Sequence, residues 1–435
     1  MEASPLEIIR LWKHPERRRK TLLKRSEGDV AEVLPKVEKI VSEVRRRGDI
    51  ALLEFTKKFD GVELTREQLQ VSEQEISQAY EGLPEEDIEA IKKAANSIEK
   101  YHKNQIPKDW MKKIKSGVKA GQVVRPLEFV GIYTPGGTAQ YPSSVLMAAV
   151  PAKVAGIDKT IMCTPSDSEG KISSATLVAA DVAEVDEIYK AGGAQAIAAM
   201  AYGSRTIPSV DKIVGPGNVY VAAAKKIVSA DVDIDFMAGP SEVLILADSS
   251  ADSRLVALDL VAQAEHDSSA AAVLVTTSEK LAENVLKESK SILEEIPRRR
   301  TAAKALQEYG HLVVVRSPKR AFEFVNDYAP EHLQLMVRDP EKKLDNIKNA
   351  GAIFLGPYST VPAGDFAVGP SHILPTGGDA RIYDGLSVSD FVRLPSVQKL
   401  TKKGLEGLSE TIERLAEMEG LTAHARSVRK RIESD

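Results

Sequence analysis

The run EFVGIYTPGG (residues 128–137) decides the fold class. Phe129, Val130, Ile132 and Tyr133 leave no polar face, the pattern of a strand buried on both sides, and Pro135 with the following glycines forces a turn. YPSSVLMAAVPAKVAG (residues 141–156) then reads as an apolar helix, with Pro142 suited to its first turn and Pro151 expected to kink it. Outward from this pair come strand KTIMCTP, helix ATLVAADVAEV, strand EIYKAGG, helix AQAIAAMAYG, strand DKIVGPGN, helix VYVAAAKKIVS and strand DIDFMAG. Alternation sustained over residues 128–239 predicts a doubly wound α/β unit with a parallel sheet.

Past GPSEVLILADSS the alternation resumes. A helix is expected over residues 252–266, then strands AAVLVTT, HLVVVRS, LQLMV and AIFLG separated by helices EKLAENVLKESKSILEEI, KRAFEFVNDY and PEKKLDNIKNAG. Residues 35–103 carry charge at helical spacing and read as amphipathic helices. After Phe391 a charged helical tail runs to the end, its sparse apolar stripe requiring a partner surface. No internal sequence repeat is visible.

A chain of 435 residues exceeds what one hydrophobic core serves, so two core-bearing domains are expected. Basic and acidic residues number 59 and 63, spread along the chain, which argues against nucleic acid as an obligate partner. The densest basic run, residues 13–25, reads as a solvated amphipathic helix or dimer arm. No apolar stretch reaches membrane-spanning length and no signal-peptide core is present, so a cytoplasmic location is expected. The single cysteine, Cys163, excludes an intramolecular disulfide and a thiolate-rich zinc finger. It could in principle be a nucleophile for aldehyde oxidation, but its apolar strand setting favours a small buried hydrophobe.

Of the seven histidines, His266, His332, His372 and His424 lie among polar groups and turn residues, whereas His14, His102 and His311 do not. Gln263 and His266 are three apart on one helix face, where an amide oxygen and an imidazole can converge on a cation; a polar helix end would look the same. Asp365, in VPAGDFAVGPSH, is either a carboxylate presented by a glycine-flanked loop or an ordinary turn aspartate. His424, after Glu419 on the terminal helix, is a further ligand candidate or a solvent-facing histidine. Glu331-His332 could pair a carboxylate with a base working near neutral pH, provided the segment after Pro330 is irregular. There is no GxGxxG motif; GPGN (residues 215–218) and TPGG (residues 134–137) are workable phosphate turns or plain strand-to-helix turns.

Seven segments in order resemble the histidinol dehydrogenase family: PGGTAQYPSSVLMAAVPAKVAG, KAGGAQAIAAMAYG, KIVGPGNVYVAAAK, DFMAGPSEVLILAD, AQAEHD, APEHLQL and GDFAVGPSHILPTGG with GLSVSDF. The resemblance implies a zinc ion, one per subunit, held by Gln263, His266, Asp365 and His424, with Glu331 and His332 as the acid/base pair. It implies substrate contacts from Ser241, His332, His372 and Glu419 besides the metal ligands, and contacts to NAD from Tyr133, Gln195 and Asn218. It implies oxidation of L-histidinol to L-histidine through the aldehyde with two NAD reduced. In architecture it implies two Rossmann-like doubly wound α/β domains with helical N- and C-terminal appendages. These are a helical arm (1–27), a metal- and substrate-binding domain (28–132 with 242–386), an NAD-binding domain (133–241) and a C-terminal helical arm (387–435) exchanged in a homodimer.

The sequence departs from the family's usual pattern at Ser371, at Ile382-Tyr383-Asp384 and at Thr138-Ala139-Gln140, all bordering the expected pocket. Two rivals stand beside this reading: a dehydrogenase of another small alcohol, such as a sulfonated diol, and a silent binding protein on the same scaffold. GLSVSDF and Glu419 favour histidinol over the diol.

Overall fold

A computed structural model describes residues 6–13, 22–23, 30–136, 140–237 and 239–433. Most of the basic run 13–25, and Thr138 and Ala139, lie outside the described residues. The first strand, β1 (Glu7–Arg10), is followed by four helices from Val30–Arg47 to Glu85–His102. Three short strands come next: β2 (Trp110–Lys115), β3 (Val118–Gln122) and β4 (Arg125–Pro126). The first alternating unit holds β5 (Phe129–Tyr133), β6 (Lys159–Thr164), β7 (Glu187–Lys190), β8 (Lys212–Val214) and β9 (Asp233–Ile234). The second holds β10 (Glu242–Ala247), β11 (Ala271–Thr276), β12 (Gly310–Val314), β13 (His332–Met336) and β14 (Ala352–Leu355). Strands β15 (Val392–Arg393) and β16 (Ser396–Leu400) precede two terminal helices, Lys402–Met418 and Thr422–Glu433.

Both units form parallel sheets, in the orders β7-β6-β5-β8-β9 and β1-β12-β11-β10-β13-β14. Each unit winds the same way: its first strand is central, the next two step outward on one side, and the last two return to the other. A repeat that is invisible in the sequence is therefore plain in the topology, because winding depends on strand order and helix crossovers rather than on particular side chains.

Several expectations are corrected. Glu7–Arg10, placed in a helical arm, is a strand registered on β12, with Ile9 only 1% exposed. The helices over Val30–His102 cover the five-stranded sheet: Val37, Ile40 and Val44 join one face with Tyr133 and Ile161, and Ile88, Ile91 and Ile98 join the other with Val130 and Val145. The division at residue 132 thus assigned them to the wrong sheet and cut β5, because amphipathic periodicity shows that a face is buried but not against what. Residues 110–122 and Ser396–Leu400, the latter read as helical tail, form an antiparallel sheet β16-β3-β2. PEKKLDNIKNAG gives only the 3-10 turn Pro340–Asn346, and Arg299–Tyr309 is an additional helix. Among the described residues no helix is long and apolar enough to cross a membrane.

The turn after β8 is fixed from below. Gly215 has φ +114°, and a Cβ there would stand 2.0 Å from the Tyr133 carbonyl oxygen, so only glycine fits. Lys225, 3% exposed, donates to the Gly215 carbonyl at 2.5 Å and to Asp235 Oδ1 at 2.6 Å, while Asp235 Oδ2 accepts from the Gly215 N–H at 2.8 Å. Lys225→Met would leave the Asp235 charge buried and unpaired, and denaturant titration is expected to show a loss of about 3 to 5 kcal/mol.

Candidate functional site

The site begins with a reciprocal lock between adjacent strand starts. The Glu331 carboxylate accepts the Glu242 N–H at 2.7 Å, and the Glu242 carboxylate accepts the Glu331 N–H at 3.1 Å. Both side chains are buried, which two carboxylates tolerate only with such donors. The next residue, His332, opens β13 opposite Val243, and its Nδ1 lies 3.0 Å from the Glu242 carbonyl oxygen. A carbonyl only accepts, so Nδ1 carries the proton and Nε2 is the position that exchanges one. His332 Nε2 is buried without a hydrogen-bond partner and lies 3.7 Å from Asp365 Oδ1; Nδ1 is 3.3 Å from Glu331 Oε2. Burial alone would lower the His332 pKa, but the Glu331 and Asp365 carboxylates outweigh it and hold it well above the ordinary value.

Asp365 stands in a single π-turn, Gly364–Val368, a geometry frequent at functional sites. Gly364 allows the turn to lie on Phe354, since a Cβ would come within 2.6 Å of its ring. Burial would raise the Asp365 pKa, yet the neighbouring His332 outweighs it and brings the carboxyl below its ordinary value. His372 holds the turn. Its Nδ1 donates to the Asp365 carbonyl at 3.0 Å and its Nε2 accepts from the Ser144 hydroxyl at 3.2 Å, burial keeping the ring neutral by lowering its pKa. Ser144 lies at the start of the helix Pro142–Ala155, so the cluster sits where the carboxyl edge of the first sheet meets the amino edge of the second. Ser371 is buried, its hydroxyl donating to the Met147 carbonyl at 3.2 Å and accepting the Ile373 N–H at 3.1 Å.

Gln263 is buried at the end of the helix Ser253–Ala264, which Asp252 caps, and His266 is exposed just beyond it. Ser241 is half-buried immediately before β10, its carbonyl pairing with Ala271. Glu419 and His424 are not brought to this cluster. Both are exposed on the terminal hairpin, whose two helices pack chiefly on each other. Among the described residues no three His, Cys, Asp or Glu side chains of the chain converge as a metal site.

At the carboxyl edge of the first sheet, the Tyr133 hydroxyl accepts the Gly193 N–H at 3.0 Å, and Asn218 caps the helix Val219–Val228 through its side-chain oxygen at 3.0 and 3.2 Å. Gln195 is 1% exposed with its Nε2 unpartnered. Beside it lies a residue that motif reasoning missed: Asp60, whose carboxylate accepts from the Gly192 N–H and keeps Oδ2 buried without a partner. Cys163 is fully buried and its thiol pKa is pushed up by burial, so it is no nucleophile. Glu242 and Ser144 were also missed. An acidic residue opening the wholly apolar run VLILA was the available signal for Glu242; Ser144 had none.

Two parallel sheets meet at a buried carboxylate–imidazole cluster, an arrangement that positions an imidazole to exchange protons with a ligand bound between them. Residues 23–432 match the family model described as histidinol dehydrogenase. The histidinol dehydrogenase of Methanothermobacter thermautotrophicus is 49% identical over 98% of this chain and 99% of its own length, and that of Clostridium acetobutylicum 47% identical over 94% of this chain and 95% of its own length. The crystal structure of histidinol dehydrogenase from Elizabethkingia anophelis superposes with a TM-score of 0.95 at 40% identity, covering 99% of both chains. The chain belongs to the histidinol dehydrogenase family.

Burial raises the Asp60 carboxyl from 3.8 to about 6. A carboxyl raised in the folded state binds more protons there than when unfolded, so its contribution favours folding in acid and is lost as pH climbs from about 4 to about 6. Compared with Asp60→Asn, the unmodified protein is expected to lose stability across that window; parallel urea midpoints would refute the placement. Ser144→Ala, which takes the donor from His372, is expected to cost about 1 kcal/mol in the same titration.

Proposed function

We propose that this enzyme oxidises L-histidinol to L-histidine through L-histidinal, reducing two NAD in succession. The observation that carries the reading is His332 Nε2, buried, unpartnered and next to Asp365, on a ring whose tautomer the Glu242 carbonyl fixes. In the first oxidation the carbinol carbon gives up a hydride while His332 Nε2 takes the hydroxyl proton. In the second, His332, having released that proton to solvent, removes a proton from water as it adds to the aldehyde carbon, and a second hydride leaves the hydrate as its remaining hydroxyl proton goes to solvent, giving the carboxylate. Glu331 keeps the imidazolium beside a counter-charge in both steps.

Bound NAD supplies the hydride acceptor. Tyr133, Gln195 and Asn218 would hold it, and the unsatisfied Gln195 Nε2 and Asp60 Oδ2 fit a ligand rich in hydroxyl groups. Zinc when bound supplies a template charge for the amino-imidazole substrate and offsets the Asp365 carboxylate. Gln263, His266 and Asp365 present donors suited to it, and the position of His424 supports a homodimer in which the partner subunit's His424 completes the set. Exposed Leu415, Met418 and Leu421 on the terminal hairpin support the same exchange. Substrate contacts from Ser241, His372 and Glu419 belong to this reading, although both His372 nitrogens are engaged in the structure. A cytoplasmic site of action suits an NAD-linked biosynthetic step.

With zinc-loaded protein, two NADH per histidinol are expected spectrophotometrically; one would mean release at the aldehyde, and none, with turnover of another alcohol, would overturn the substrate. His332→Asn is expected to slow the aldehyde-to-acid step by about 10² to 10⁴-fold while zinc content is unchanged; metal loss would make His332 a ligand. Mixing inactive His332→Ala and His424→Ala proteins tests the exchange. Random reassociation is expected to restore about a quarter of the activity, one intact site in each mixed dimer, and no recovery would place His424 in its own chain's site.

A further inference from the structure

The shared winding of the two sheets has a consequence outside the active site. In an open parallel sheet the ligand crevice forms beyond the carboxyl ends of the strands, where consecutive strands diverge to opposite sides. In the first sheet that point lies between β5 and β8, where Tyr133 and the turn from Gly215 to Asn218 stand. In the second sheet it lies between β10 and β13. A crevice of about 250 Å³ opens there, walled by Leu246, Phe322 and Val337 and rimmed by Thr277, Arg338 and Lys343. The Glu331–His332 pair lies at the other end of β13, five residues away, about 16 Å at the rise of an extended chain.

The charges at the crevice are unevenly matched. Asp248 accepts from the Ser250 N–H at 2.8 Å and from the Arg338 N–H at 2.9 Å, which ties the β10 loop to the β13 loop and satisfies its carboxylate. Asp339, in the left-handed region at φ +51°, pairs with Lys342 at 3.3 Å. The Arg338 guanidinium and the Lys343 ammonium make no ion pair or side-chain hydrogen bond among the described residues. The rim therefore sets Arg338, whose charge acts on Asp248 without pairing to it, and Lys343, which has no ion-pair partner among the described residues, beside the carboxylates of Asp248 and Asp339 over an apolar wall.

We infer that this crevice is a second ligand site, separate from the catalytic centre, taking a small organic anion, a phosphate monoester or a carboxylate, whose apolar or ring portion lies on Phe322 and Val337. The anionic group is held by Arg338 and Lys343 and the body by the wall, the combination that a compact crevice with few polar groups selects. The assignment is independent of which alcohol the enzyme oxidises.

Thr277→Cys places a thiol on the rim, and the sole native cysteine is fully buried. Modification of this thiol by a chromogenic disulfide is timed with AMP, benzoate or adenosine present. AMP or benzoate is expected to slow it about tenfold, adenosine far less, and Arg338→Ala with Lys343→Ala is expected to abolish the effect while histidinol turnover is unchanged. Protection by AMP alone assigns a phosphate ligand, and by benzoate alone a carboxylate. No protection, equal protection by adenosine, or protection that survives loss of both cations would overturn the proposal. Should the cysteine variant misfold, calorimetric titration of both anions into the chain with and without the two cations reads the same difference.

Discussion

Two buried carboxylates, Glu242 and Glu331, each accept the other's backbone N–H at the point where β10 and β13 begin side by side. A buried carboxylate without donors costs several hydrogen bonds lost to water, so this exchange fixes the register of the two strands and satisfies both buried side chains together. His332 inherits its position from the lock. The Glu242 carbonyl fixes the tautomer, and the remaining nitrogen is left bare toward Asp365. The base at the centre is thus oriented by a backbone carbonyl of the second sheet rather than by a mobile side chain.

The first sheet reaches the same centre through a single polar chain. Ser144 donates to His372, and His372 donates to the carbonyl of Asp365. Because the carboxyl edge of one sheet abuts the amino edge of the other, groups expected at the cofactor site and at the reacting centre become neighbours although they belong to different cores. The carboxyl edge of the second sheet is left outside this arrangement, and the crevice rimmed by Arg338 and Lys343 opens there.

Much of the fold was legible from residues 128–356, since apolar runs of strand length alternating with apolar helices admit little besides parallel winding. The boundaries were not. Helices over Val30–His102 carry amphipathic stripes that announce burial, yet the five-stranded sheet that covers them is identified only by contact. Glu7–Arg10 is four residues long, and its strand geometry depends on β12 being there to pair with it. At the site, Asp365, His332 and His372 were recognisable as polar residues in turn-rich segments. Glu242, Asp60 and Ser144 resemble surface residues until their burial and partners are known.

The sequence by itself determined the α/β class, the family and the residue types able to move protons, because these follow from periodicity and from motifs a few residues long. Only the tertiary structure decided which nitrogen of His332 is free, that Asp365 is held through its own carbonyl, and that His424 stands apart from the other donors. The first depends on a contact between residues ninety positions apart, and the His372 ring that holds Asp365 is itself anchored by Ser144, 228 positions away; local sequence places no bound on which distant partner arrives.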